Sequence, residues 1–217
     1  QAATTLVTDA LVVLVTEGFD APKSALGALA SEALRTGHLA AKPGAMLSLF
    51  KHPGITAART VLVSCGNGNP RSASLATEAV IAALKSSPAH EVTIICLSPL
   101  GENAVSAIVL AASRAAYEYT ATKSVPDPVA LVRLRIATPD SDGVRPAFDR
   151  AVGTAAGIRL ARHWADRPGN HATASDLAKA AKEIARRPGF RCRTHGPKEV
   201  GKLGMGAFLA VAKGSEE

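Results

Sequence analysis

The sequence predicts an α/β fold in which a mixed sheet is flanked by helices. Three observations carry this. Short, nearly continuous apolar runs recur along residues 1–137, and strands of that kind belong to sheets covered on both faces. Segments with apolar residues three and four apart stand between those runs, as amphipathic helices require. Hydrophobic residues make up 47% of the 217, enough for a packed core. Aromatics are only 4%, so that core is built from Ala, Val, Leu and Ile.

Residues 5–15 read as the first strand, with Leu6, Val7 and the run Leu11 to Val15. Residues 21–36 read as a helix: Leu26, Leu29, Ala30, Ala33 and Leu34 share one face, and Gly37 marks its end. Residues 46–50 and 60–65 are two strands separated by a His52-Pro53-Gly54 turn. Residues 72–84 form a helix expected to turn Leu75, Ala76, Ala79 and Ala83 inward. Residues 91–97 are a strand. Residues 103–119 give the clearest helix, with Val105, Ile108, Val109, Ala112, Ala116 and Tyr119 in one stripe. In residues 129–137, Val132, Leu134 and Ile136 alternate with Arg133 and Arg135. That period of two describes a strand at the sheet edge with one solvated face.

Residues 138–146 are polar, with two prolines and a glycine, and mark a boundary. Residues 148–162 follow as an Ala-rich helix in which Gly153 and Gly157, four apart, allow close packing. The run Asp166-Arg-Pro-Gly-Asn170 breaks it. Thr173 then opens a helix with Asp176 at the capping-box position and Leu177, Ala181, Ile184 and Ala185 inward. Residues 189–194 read as a strand, 198–203 as a helical turn and 207–211 as a short apolar element.

Charge is uneven along the chain. Residues 1–144 hold 11 Lys+Arg against 11 Asp+Glu, whereas residues 145–217 hold 14 against 7, which accounts for the whole net charge of +7. A basic half is compatible with a nucleic-acid face. The simpler reading is that an acidic remainder of a longer protein balances it, because the charges fall on helix faces without interleaved aromatics. Three cysteines, Cys65, Cys96 and Cys192, are an odd number without CxxC spacing, and are read as buried free thiols of a reducing compartment. No apolar run reaches the roughly 18 residues of a membrane span. The start Gln1-Ala2-Ala3 reads as a trimmed terminus rather than a signal peptide.

Few residues offer chemistry. Gly66-Asn67-Gly68 follows a strand and precedes a helix, where free N–H groups can cradle a phosphate. It lacks the third glycine of a dinucleotide fingerprint and the lysine of a P-loop, so a plain turn is the leading reading. The six histidines, His38, His52, His90, His163, His171 and His195, form no HxxxH or HExxH pair. His163 and His171 flank the Pro-Gly-Asn break and are placed to converge, in a surface or interface role. No Ser lies in a GxSxG elbow. Asp20, Glu102 and Asp176 are isolated carboxylates that suit caps or surface.

Two stretches carry a resemblance to a known family. The segment 198–217, with Gly204-Met205-Gly206, Phe208 and Lys213-Gly214-Ser215, closely resembles the front of the catalytic domain of the leucine aminopeptidase (cytosol aminopeptidase) family. The stretch 162–178 resembles the family's linker region through Arg162, Pro168, Asn170, Thr173, Leu177 and Ala178; His163, Trp164, Asp166 and Ala174 depart from it. Residues 1–144 resemble the family's variable N-terminal domain in the order of their strands and helices only.

The resemblance implies a macro-domain-like N-terminal α/β domain over 1–140, a linker and linker helix over 141–168, and the truncated start of an α/β catalytic domain over 169–217. It implies a cytoplasmic or organellar exopeptidase that removes N-terminal residues, often leucine, from peptides, usually as a homo-hexamer. Two divalent ions, zinc or manganese, would sit in the C-terminal part, with bicarbonate as the base. No catalytic, cofactor-binding or metal-ligating residue of the family maps onto residues 1–217, so this segment alone is expected to be inactive. Three further readings stand beside it: a non-catalytic assembly homologue, a basic nucleic-acid-binding member, and a nucleotide or ADP-ribose binder whose local support is the Gly66–Gly68 turn.

Overall fold

The computed structural model describes residues 3–19, 24–125 and 131–214. The chain divides into two compact units, Gln1–Arg162 and His163–Glu217. The first holds a five-stranded sheet: β1 (Ala10–Val15), β2 (Met46–Phe50), β3 (Arg59–Ser64), β4 (Glu91–Cys96) and β5 (Arg133–Ala137). Their order is β2-β3-β1-β4-β5. Strand β1 lies parallel to both neighbours, with Val12 opposite Val61 on one side and Ile94 on the other. Strand β2 runs antiparallel to β3, and β5 runs parallel to β4. The sheet is therefore mixed, and the Arg133/Arg135 strand stands at its edge as its alternation requires. Of the strand expected over residues 129–137, residues 129 and 130 lie outside the described residues.

All six residues of β1 are buried. Ala10, Val12 and Leu14 face one core, covered by α2 (Pro70–Lys85) and α3 (Glu102–Ala116). Leu11, Val13 and Val15 face a second core, covered by α1 (Ala25–Arg35) through Leu26, Ala30 and Ala33. Residues 21–23 of the helix expected there lie outside the described residues. Ser24 caps α1 by accepting from the Gly27 N–H at 3.1 Å.

The lower rim of the sheet is tied by polar groups. One Asp9 carboxylate oxygen accepts from the backbone N–H groups of His90 and Glu91, each at 2.9 Å. These two N–H groups hold the Asp9 carboxyl below the ordinary carboxylate range. Glu91 in turn pairs with Arg133 at 2.7 Å and Arg135 at 2.9 Å, so the solvated face of β5 is anchored to β4.

Several expectations change. Helix α2 is rotated: Ala73, Ala76, Thr77, Val80, Ile81 and Leu84 are buried, whereas Leu75 and Ala83 are exposed and Ala79 is half-buried. Two apolar stripes run along this Ala-rich helix, and the one carrying the larger buried volume, Val80, Ile81 and Leu84, wins the core. Helix α3 stops at Ala116, where Tyr117 turns extended (φ −66°, ψ 134°), so Tyr119 leaves the stripe.

The helix expected over residues 148–162 is α4 (Ser141–Ala165), which starts inside the expected boundary. The Asp140 carboxylate accepts from the Gly143 N–H at 3.2 Å and holds its first turn, and Pro146 stands inside the helix in the second turn. A Cβ on Gly143 would collide with that carboxylate. Helix α4 buries Val144, Ala147, Ala151 and Ala155, while a Cβ at Gly153 or Gly157 would meet no described residue within 4 Å, so neither glycine packs closely against one.

The second unit is helical: α5 (Ala174–Ile184), α6 (Pro197–Lys202) and α7 (Gly206–Ala212). Residues 189–194 form no strand. Gly189 has a left-handed φ of 89°, and Arg191, Cys192 and Arg193 are exposed, leaving no alternating face to bury. The α5 face expected inward is only half covered: Ile184 and Ala185 are half-buried, Leu177 and Ala181 exposed. Val200 is the one buried residue among the described residues of this unit.

The rotated face of α2 is testable by urea unfolding. Ile81→Ala is expected to cost about 2–4 kcal/mol through lost burial and a cavity. Leu75→Ala should cost less than about 0.5 kcal/mol, as an exposed change does. Equal costs would restore the Leu75-inward face.

Candidate functional site

The C-terminal edge of the parallel strands is where open α/β sheets place ligands, because connections leave there toward opposite faces. Here β1 leads to α1 on one face and β3 leads to α2 on the other. The Gly66-Asn67-Gly68 turn sits at that point, and its own chain fills it. Gly66 (φ 51°) leaves room for Pro43: a Cβ would lie 2.8 Å from the proline Cγ. The Gly66 carbonyl accepts from the Glu17 N–H at 2.6 Å, and the Gly68 N–H donates to the Cys65 carbonyl at 3.0 Å. At the start of α2, the Asn69 side chain accepts from Ser72 N–H at 2.9 Å, and Asn67 accepts from Asn69 N–H at 3.2 Å. The N–H groups of Gly68, Asn69 and Ser72 are thus used within the turn, which favours the plain-turn reading.

The second candidate is the break after α4. Arg167 is its centre. Its guanidinium donates to His163 Nε2 at 2.5 Å and to the His171 carbonyl at 3.2 Å, and it lies 4.2 Å from the centre of the Trp164 ring. His163 and His171 thus meet on one arginine, the first by its ring and the second by its backbone. Because a guanidinium only donates, His163 Nε2 is the acceptor in this contact. Sequence reading singled out the histidines and missed Arg167. The available signal was its spacing, three residues after Trp164 and four after His163. Just beyond, Thr173 and Asp176 form the expected capping box. The hydrogen bonds from Thr173 hold the Asp176 carboxyl below its ordinary range.

The other candidates disperse. Glu102 pairs with Arg150 at 3.0 Å, and Asp20 lies outside the described residues. His52 Nδ1 lies 2.8 Å from the Pro53 carbonyl, His90 offers its backbone N–H to Asp9, and His195 lies 3.6 Å from Glu199. Among the described residues no three His, Cys, Asp or Glu side chains group as a metal site.

Residues 12–126 match the family model for the cytosol aminopeptidase family, N-terminal domain, and residues 159–217 match its catalytic domain. The chain belongs to the cytosol aminopeptidase family. It is 44% identical over 212 residues to a probable cytosol aminopeptidase of Polaromonas naphthalenivorans (strain CJ2), covering 96% of this chain and 42% of that protein. It is 42% identical over 209 residues to the one of Acidovorax ebreus (strain TPSY), again covering 96% and 42%. Among solved structures, a tomato leucine aminopeptidase mutant aligns with a TM-score of 0.78 at 26% identity, covering all of this chain and 47% of that one. The bottromycin maturation enzyme BotP in complex with Mn shares the fold, with a TM-score of 0.75 at 22% identity over 97% of this chain and 43% of that one. The chain therefore spans about 42% of the length of the bacterial relatives it matches.

The thiols of this cytosol aminopeptidase family chain separate by burial. Cys65 and Cys96 are buried as expected, while Cys192 is exposed, because residues 190–196 form no buried element. Burial pushes the Cys65 thiol up to about 11. It pushes Cys96 up to about 12, with the neighbouring Cys65 adding to the rise. In the native chain at neutral pH, a thiol-disulfide reagent should therefore label one cysteine quickly and the other two only on denaturation. Cys192→Ser should remove the fast phase. Fast labelling of all three would contradict the buried placement.

Proposed function

We propose that this chain is the front portion of a metal-dependent leucyl aminopeptidase. The supporting observation is the order of the two family matches: an N-terminal domain is followed by the start of a catalytic domain, in relatives more than twice as long. On this reading residues 1–140 are the N-terminal domain, 141–168 the linker and its helix, and 169–217 the beginning of the catalytic domain. The whole protein would release N-terminal residues from peptides in the cytoplasm as a homo-hexamer. Two divalent ions, zinc or manganese, and bicarbonate would be bound outside these 217 residues. The exposure of Phe190, Leu203, Met205, Phe208 and Val211 fits a catalytic domain whose covering layers lie in the remainder.

A second reading, polyanion binding, has one observation in its favour. Arg186, Arg187, Arg191, Arg193 and Lys198 are all exposed, no acidic residue falls between 186 and 198, and Phe190 stands exposed among them. An aromatic is therefore interleaved with these charges after all.

Hydrolysis of leucine p-nitroanilide, with and without added manganese, tests the first reading. The 217-residue chain should give no turnover, and the longer protein that contains it should give metal-dependent turnover. Turnover by residues 1–217 alone would refute the placement of the site. A silent longer protein under both manganese and zinc would make it a non-catalytic homologue.

A further inference from the structure

Strand β5 and helices α3 and α4 line an open cleft of ≈ 280 Å³ within the first unit. Its walls are apolar: Val109 from α3, Leu134 and Ile136 from β5, and Phe148 and Val152 from α4. Three polar side chains reach it, Ser113, Arg133 and Arg159. Arg133 is already bound to Glu91 at 2.7 Å. Arg159 has no ion pair with any described residue.

A smaller neighbouring cleft shares Ser113 and Arg159 and adds Arg114, Tyr117 and Arg162. Arg114 is committed to Glu78, and Arg162 stacks 3.9 Å from the Tyr117 ring centre. No Asp or Glu lines either cleft among the described residues. Arg159, an exposed residue, thus lines both clefts together with Arg133, Arg114 and Arg162, and this excess of positive charge beside apolar walls favours an anion.

We propose that this cleft binds a small monocarboxylate with an apolar body, its carboxylate on Arg159 and its hydrocarbon against Val109, Leu134, Ile136 and Phe148. Ligand clefts are mostly apolar with a few convergent polar groups, and typically span about 300–1,000 Å³. At ≈ 280 Å³ this cleft falls just below that range and suits a ligand of medium-chain fatty-acid size. A guanidinium holds a carboxylate by two parallel hydrogen bonds, which gives the head group its place. The carboxylate supplies a counter-charge that no described residue gives Arg159, and the apolar body covers wall surface now facing water. The site is separate from the peptide hydrolysis proposed above and does not depend on it.

Titration of the 217-residue chain with octanoate, followed by NMR or calorimetry, tests this. Saturable binding to one site is expected. Arg159→Ala should weaken it about tenfold or more, and the neutral analogue octanamide should bind the original chain more weakly by a similar factor. Val152→Trp, at a position already 45% exposed, should fill the slot and abolish binding without changing the unfolding midpoint. Absence of saturable binding, or equal affinity for octanoate, octanamide and the Arg159→Ala chain, would overturn the proposal.

Discussion

Strand β1 is buried on both faces along its whole length, and the architecture of the first unit follows from covering it. Leu11, Val13 and Val15 point one way and Ala10, Val12 and Leu14 the other. Each buried Val or Leu side chain is worth about 2 kcal/mol relative to exposure. Leaving Leu11, Val13 and Val15 uncovered would cost on the order of 6 kcal/mol, comparable to the whole stability of a domain. Helix α1 must therefore lie on one face and α2 with α3 on the other. That division parts the connections at the C-terminal edge and places the Gly66–Gly68 turn there. Asp9 and Glu91 then fix β4 and β5 beside β1 from the opposite edge.

Much of this was legible because strand and helix periods differ so clearly. The bounds of β2 read directly from Met46 to Phe50, and the alternation around Arg133 and Arg135 located an edge strand. The face of α2 was not legible, because alanines supply two apolar stripes and only packing against β1, β3 and β4 selects between them. The early start of α4 was hidden by Gly143 and Pro146, residues that signal a loop: Gly143 fits a first turn capped by Asp140, and Pro146 stands inside the helix one turn later. Residues 189–194 misled in the opposite sense: Phe190 and Cys192 alternate with arginines, but β-pattern residues need a partner strand before they pair.

The candidate sites show a similar limit. Composition and spacing predicted that Gly66, Glu102 and Asp176 serve the scaffold, and each is engaged in packing, an ion pair or a cap. Arg167 escaped notice because its partners, a ring nitrogen, a backbone carbonyl and an aromatic face, are not marked by any motif. The resemblance seen in residues 162–217 proved to be the family itself. The first unit builds two cores around its sheet, whereas the second buries Val200 alone among its described residues.

Hydrogen exchange followed by mass spectrometry tests the central role of β1 most directly. Amides of residues 10–15 should exchange only through global unfolding, with an opening free energy equal to that from denaturant titration. Those of α5, α6 and α7 should exchange through much cheaper local openings. Exchange of residues 10–15 as fast as that of the edge strand β2 or of α5 would contradict the account.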